Sequence, residues 1–279
     1  MLRITGKTDV YGIFGFPVKH SLSPLMQTAA FEALGIDAVY VPFEVNPDNL
    51  GGAVSGLRAM NIKGINVTVP LKEKIVPFLD RIDEVAAFLG AVNTVKNENG
   101  VLSGYNTDGD GFVDSLEEEG VDVRGKTVLL IGAGGSGKAV AFALLNRGAG
   151  RVIIANRTLD RAVALSEKLK SYGDVEAISL EDVERVLSSA DLIVNTTSVG
   201  MRETDPPLFD YEVIPPSVVV VDIIYKPFKT ELLKVAEEKG AKIINGLGML
   251  VHQGARAFRI WTGKEPPVDV MKRVILEQL

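Results

Sequence analysis

The run Val128-Leu129-Leu130-Ile131-Gly132-Ala133-Gly134-Gly135-Ser136-Gly137-Lys138-Ala139 carries more architectural information than any other part of the 279-residue chain. Four apolar residues make a buried strand, glycines follow at 132, 134 and 137, and a helical pattern opens directly behind them. That spacing is the dinucleotide fingerprint: the first glycine allows the tight turn, the second lets backbone approach a pyrophosphate, and the third lets helix and strand pack closely. The same letters also match the phosphate-cradling loop of nucleotide triphosphatases as far as Gly137-Lys138, which would imply a kinase. Ala139 breaks that match, because a Ser or Thr is needed there to hold magnesium.

The end of the following strand, Ile153-Ile154-Ala155-Asn156-Arg157-Thr158, bears on which dinucleotide is bound. An acid here would take a ribose 2′-hydroxyl, whereas Arg157 and Thr158 offer a guanidinium and a hydroxyl to a 2′-phosphate. NADP is therefore favoured over NAD. Arg161 offers a second cation or is an ordinary solvated helix arginine. Asn195-Thr196-Thr197-Ser198-Val199-Gly200-Met201 ends another strand at the carboxyl edge, where open α/β sheets bind ligands, and reads either as a cofactor contact or as simple loop chemistry.

Outward from the glycine loop, Thr127–Ile131, Arg151–Ala155, Leu192–Asn195, Val218–Asp222 and Lys242–Ile244 are compact, β-branched runs separated by amphipathic segments such as Leu159–Lys170. They predict a doubly wound parallel sheet. Before it, short strand patterns (Val10–Phe14, Ala38–Phe43, Gly64–Thr68) alternate with helical ones (Pro24–Ala33, Asn49–Met60, Pro70–Leu79) in a separate α/β unit. Gly109 to Leu116 reads as a connecting helix, and Val121 to Lys126 marks the boundary.

Composition narrows the function. With 46% hydrophobic and 24% charged residues the chain reads as globular, and a net charge of −6 without a basic block argues against nucleic acid or an anionic membrane as partner. Zero cysteines remove disulfides, thiol catalysis and cysteine-ligated zinc, and His20 and His252 are too few for a histidine-rich metal site, so no metal is expected. No apolar run is long enough to span a bilayer, and the first residues carry no secretory h-region, so a cytoplasmic enzyme is expected.

Two further segments carry chemistry. Asn66-Val67-Thr68-Val69-Pro70-Leu71-Lys72 ends an apolar strand, and Pro70 suits the first turn of a helix, so Lys72 is expected at a helix N-terminus, where the dipole would make its proton easier to lose. Val92 to Asn106 is a hairpin pattern around Asn99-Gly100. With those two as the loop, Glu98 faces Val101, and counting outward sets Asn93 opposite Asn106 with Asp108 just past the strand end. Such a cluster of amides, hydroxyls and a carboxylate suits a polar small-molecule site, although each Asn or Asp alone caps a turn equally well.

Taken with Gly15-Phe16-Pro17-Val18-Lys19-His20-Ser21-Leu22-Ser23-Pro24, Gly90 to Thr94 and Gly246-Leu247-Gly248-Met249-Leu250-Val251-His252-Gln253, these motifs make the whole chain resemble the shikimate dehydrogenases. The resemblance implies two α/β domains, a substrate domain (1–108) and a Rossmann-type NADP domain (109–245), separated by a cleft, with 246–279 returning to the first. It implies that Lys72 and Asp108 form the catalytic pair, that Ser21 and Ser23 bind the substrate carboxylate, and that Thr68, Asn93, Asp108 and Gln253 bind ring hydroxyls. Tyr225 would reach the substrate from the cofactor domain. Gly132, Ala133, Gly134, Gly135, Ser136, Asn156, Arg157, Thr158 and Arg161 would hold NADP, with Ile223 and Gly246 beside the nicotinamide and Glu84 a further candidate. The implied reaction is reversible hydride transfer between NADPH and 3-dehydroshikimate, giving shikimate, by a monomer or homodimer. An NAD-using quinate/shikimate dehydrogenase shares nearly every motif, and a non-catalytic sensor of shikimate or NADP is the alternative from another class.

Overall fold

The structure, a computed structural model, describes residues 4–279. Its chain divides into two units, one of residues up to Gly111 together with Val251–Leu279 and the other of Phe112–Leu250. In chain order the first contains β1 (Asp9–Gly15), α1 (Ser23–Ala33), β2 (Ala38–Glu44), α2 (Leu50–Ala59), β3 (Gly64–Val67), β4 (Arg81–Ile82), α3 (Glu84–Leu89), β5 (Thr94–Glu98) and β6 (Val101–Tyr105). α4 (Asp108–Glu118) carries the chain over the boundary.

Six strands form a mixed sheet ordered β2-β1-β3-β5-β6-β4, with β1 parallel to β2 and β3, and β5 antiparallel to β3 and β6. One core packs Phe14, Ile65, Val67, Leu71, Ile75, Val95 and Leu102 against Leu50, Val54 and Leu57, which fall on one stripe of α2. Each such side chain contributes roughly 1.5–3 kcal/mol by leaving water. An aromatic group, Tyr11, Phe31, Tyr40, Phe258 and Trp261, makes a second core. Trp261 donates its indole N–H to the Val95 carbonyl, and Gly64 makes room for it: a Cβ there would lie 2.3 Å from Trp261 Nε1.

The hairpin has the expected register, Glu98 facing Val101 and Thr94 facing Tyr105, with Asn99 and Gly100 at φ 55° and 90°. Pro70–Leu79 departs from expectation. Rather than a helix it forms turns closed by Leu71 N–H to Thr68 O and Ile75 N–H to Leu71 O, then a short 3-10 turn at Val76–Phe78. Leu71 and Ile75, four apart and fully buried, need only one turn to reach the core, so the apolar spacing is satisfied without a helix. Lys72 therefore does not sit in the first turn of a helix that begins at Pro70.

The second unit contains β7 (Thr127–Ile131), α5 (Gly135–Asn146), β8 (Arg151–Asn156), α6 (Leu159–Leu169), β9 (Val175–Ser179), β10 (Leu192–Asn195), β11 (Val219–Asp222), α7 (Glu231–Glu238) and β12 (Lys242–Ile244). All six strands are parallel in the order β12-β11-β10-β7-β8-β9, so the winding reverses between β7 and β10 and creates a switch point at their carboxyl ends. Edge strand β9 is partly buried at every position. α8 (Leu247–Thr262) crosses the boundary again, and α9 (Val268–Leu276) packs on α1. Among the described residues no helix is long and apolar enough to cross a membrane, and no group of three or more His, Asp or Glu could hold a metal.

Candidate active site

In the first unit, the close of the hairpin and the start of α4 place Asp108 at the centre of a buried polar cluster. The Asp108 carboxyl is nearly enclosed and receives two charged or polar donors on separate oxygens: Lys72 Nζ at 2.5 Å from Oδ2 and Asn93 Nδ2 at 2.7 Å from Oδ1. Asn93, 2% exposed, accepts the Thr107 N–H on its Oδ1 at 2.9 Å, which orients the amide so that its NH₂ faces Asp108. Thr107 Oγ1 in turn accepts from Asn93 Nδ2 and donates to the Gln253 carbonyl, 3.0 Å away. The Gln253 Oε1 lies 3.5 Å from Asn93 Nδ2. Gly111 admits this segment of α8, since a Cβ there would meet the Gln253 backbone nitrogen at 2.5 Å. Lys72 is held from behind by the Val92 N–H, which donates to its carbonyl. An ammonium has three protons, and the carboxylate uses one, so two remain for a ligand oxygen.

The same hydrogen-bonded group extends to α1. Asn66 Nδ2 donates to the Asn93 carbonyl and to Thr94 Oγ1, both at 3.1 Å, and Asn66 Oδ1 accepts the Tyr40 hydroxyl at 2.7 Å. Ser23 is a further hydrogen-bond partner of Tyr40, whose phenol burial pushes well above its ordinary value, keeping it protonated. Ser21, just before α1, accepts the Ser23 N–H at 3.3 Å. Thr68 continues β3 beyond its last paired residue, its N–H donating to Phe14 O, and its methyl fills the space left by Gly15. Asn66 enters the sequence reading only as the head of the Asn66–Lys72 run, with no role of its own, and Tyr40 does not enter it; the available signal is a polar group inside an otherwise apolar strand run.

At the switch point of the second unit lies a cavity of about 570 Å³ lined by Gly132, Ala133, Gly134, Asn156, Arg157, Thr158 and Arg161 on one side and Thr196 to Val199 on the other. The glycines act as their spacing requires. Gly132 has φ +112°, and a Cβ on Gly137 would lie 2.1 Å from the Gly132 carbonyl, so helix and turn touch backbone to backbone. α5 begins at Gly135 behind an N-cap glycine with no side-chain cap, which leaves its first amides to a ligand. Asn156 joins the glycine turn to the Arg157 loop, accepting the Ala133 N–H and donating to the Thr158 carbonyl. Gly135 and Ser136 stand in the first turn of α5 outside the cavity lining.

Residues 13–95 match the shikimate dehydrogenase substrate binding domain, 115–203 match the shikimate / quinate 5-dehydrogenase domain, and 246–276 match the shikimate 5'-dehydrogenase C-terminal domain. Shikimate dehydrogenase (NADP(+)) of Aquifex aeolicus (strain VF5) is 48% identical over 272 residues, covering 98% of both chains. The chain belongs to the shikimate dehydrogenase family.

A solved shikimate dehydrogenase structure from Aquifex aeolicus superposes with a TM-score of 0.92 at 48% identity, covering 98% of this chain and 99% of that one. A shikimate 5-dehydrogenase from Thermus thermophilus, solved in complex with NADP(H) and shikimate, does so at 0.89 with 38% identity, covering 98% and 100%. In this family member, Lys72, Asp108, Asn93 and Gln253 converge on one point, with Ser23 linked to them through Tyr40 and Asn66. Tyr225 and Ile223 follow β11 in the second unit, outside the 570 Å³ cavity lining; Tyr225 is half-buried, and burial raises its phenol above the ordinary value. Gly246 backs directly onto Ile223, whose carbonyl would lie 1.9 Å from a Cβ there. Glu84, the first residue of α3, lies in the first unit.

Proposed function

We propose that this chain catalyses the reversible NADPH-dependent reduction of 3-dehydroshikimate to shikimate, with Lys72 and Asp108 as the catalytic pair. The observation that carries the reading is the enclosed Lys72–Asp108 contact with Asn93 on the second carboxylate oxygen. NADPH, when bound, supplies the hydride. Lys72 offers a proton at the substrate oxygen where charge develops, and Asp108 holds the ammonium in line while accepting from a neighbouring ring hydroxyl. Asn93, Thr68 and Gln253 orient ring hydroxyls, Ser21 and Ser23 take the carboxylate, and Tyr225 donates to the substrate from its own unit.

The dinucleotide fits the second unit on structural grounds. The turn at Gly132 and the uncapped start of α5 suit a pyrophosphate, and Arg157, Thr158 and Arg161 share a cavity wall as a 2′-phosphate requires. Gly132 to Ser136 and Asn156 to Arg161 would hold it, with Ile223 and Gly246 toward the nicotinamide. The reading includes a cytoplasmic monomer or homodimer with small molecules as partners, the net charge of −6 speaking against nucleic acid.

A steady-state assay of the purified protein, following NADPH absorbance with shikimate or quinate against NADP+ or NAD+, tests this. Turnover is expected with shikimate and NADP+. Preference for quinate and NAD+ would move the chain to the quinate branch, and binding without turnover would make it a sensor.

A further inference from the structure

Asp222 is a buried carboxylate that the proposed mechanism leaves unused. It ends β11 directly opposite Asn195, which ends β10, and both side chains are fully buried. Three neutral donors converge on it: Asn195 Nδ2 at 3.1 Å and the Ile224 N–H at 3.0 Å on Oδ1, and Thr230 Oγ1 at 2.8 Å on Oδ2. Asn195 is committed on its other sides as well. Its Nδ2 also donates to the Val199 carbonyl, and its Oδ1 accepts both the N–H and the hydroxyl of Thr197. The Thr196–Val199 wall of the cofactor cavity is thus wrapped around one amide, which is itself held by one carboxylate.

Asp222 reaches the other side of the same edge through Ile224. Gly246 donates its N–H to the Ile224 carbonyl, and Ile223 backs onto Gly246, so the segment leading to Tyr225 takes its position from the Asp222–Ile224 contact. Gly200, at φ +106°, closes the ring, for a Cβ there would meet Thr230 and Ile224 at 3.2 to 3.6 Å.

Resting on the functional reading above, we propose that Asp222 is a positioning residue that locks the Thr196–Val199 wall and the Ile223–Tyr225 segment into one arrangement, so that NADP+ affinity and the use of shikimate fail together when it is removed. An unpaired charge is costly to bury, and burial does push this carboxyl up to about 6. The geometry accounts for its retention, because an acceptor with two oxygens serves three donors from three segments at once.

The test uses the full chain with Asp222→Ala, Asp222→Asn and Thr230→Val. NADP+ affinity is measured by titration calorimetry, shikimate KM and kcat at saturating NADP+, and Tm by scanning calorimetry. Asp222→Ala is expected to weaken NADP+ by about tenfold or more and to raise the shikimate KM, as the loss of several buried hydrogen bonds at a binding wall implies. Asp222→Asn restores both constants to within roughly threefold, since its oxygen keeps two donors while its NH₂ donates to a rotated Thr230 hydroxyl. Thr230→Val, which removes one donor, shifts both constants in the direction of the alanine variant and decides the matter if Asp222→Ala does not fold. A lower Tm with unchanged NADP+ affinity and shikimate KM in the folded variants would reduce Asp222 to a stability role and overturn the proposal. Wild-type protein that binds NADP+ but does not turn over shikimate would instead overturn the functional reading.

Discussion

Lys72 shows how a single residue's chemistry depends on its neighbours. Its amine is held by a carboxylate 36 positions away, that of Asp108 at the start of α4, and not by a helix of its own. Because Lys72 is assigned proton transfer, Lys72→Ala should lower kcat by roughly 10²–10⁴-fold with little change in shikimate KM. A variant retaining most of its kcat would exclude the role. Asp222 supplies a second prediction at this scale. Burial, opposed by the hydrogen bonds from Ile224, Thr230 and Asn195, raises this carboxyl from 3.8 to about 6 in the folded protein. Between those values the folded state keeps a proton that the unfolded chain has released, so this group's contribution is fully present below about pH 4 and is lost as pH rises through about 6, a swing on the order of 3 kcal/mol. Asp222→Asn cannot titrate. Its Tm relative to wild type should therefore be higher at about pH 7.5 than at about pH 4.5, and a pH-independent difference would contradict the buried, proton-retaining carboxyl.

At the scale of elements, local chemistry was legible where it leaves few options. The β5–β6 hairpin was readable because Asn99-Gly100 accepts positive φ at both loop positions, which sets the register of every residue out to Thr94 and Tyr105. The Gly132–Gly137 turn was readable for the same kind of reason. Pro70–Leu79 was not, since apolar residues four apart satisfy a single turn as well as a helix, and only the depth of the core under Leu71 and Ile75 chose between them. The glycine turn gives a paired test. A Cβ on Gly137 meets backbone at 2.1 Å, whereas one on Gly135 meets nothing within 4 Å. Gly137→Ala should cost more than about 2 kcal/mol and weaken NADP+ binding, while Gly135→Ala stays within about 1 kcal/mol of wild type. Equal effects on Tm would mean that α5 can retreat from the turn.

For the whole molecule, the proposed function assigns NADP+ to the second unit and most of the shikimate contacts to the first, and hydrogen exchange can address each one. NADP+ alone should protect Ile131–Gly137 and 156–158, shikimate should protect 66–72, 93–94 and 106–108, and protection of the first set by shikimate alone would contradict the assignment. What the amino-acid order determined by itself was the α/β class, the glycine turn with Arg157 at the end of the next strand, and the hairpin carrying Asn93 toward Asp108. Each of these is read from short runs in which turn chemistry, backbone sterics and period restrict the local outcome. Tertiary structure decided the surroundings of Lys72, the approach of Gln253 to Asn93 across 160 residues, and the meeting of Asn195 with Asp222 across 27. Those contacts arise from strand order and helix packing, and no local pattern encodes which distant donor will face a given buried carboxylate.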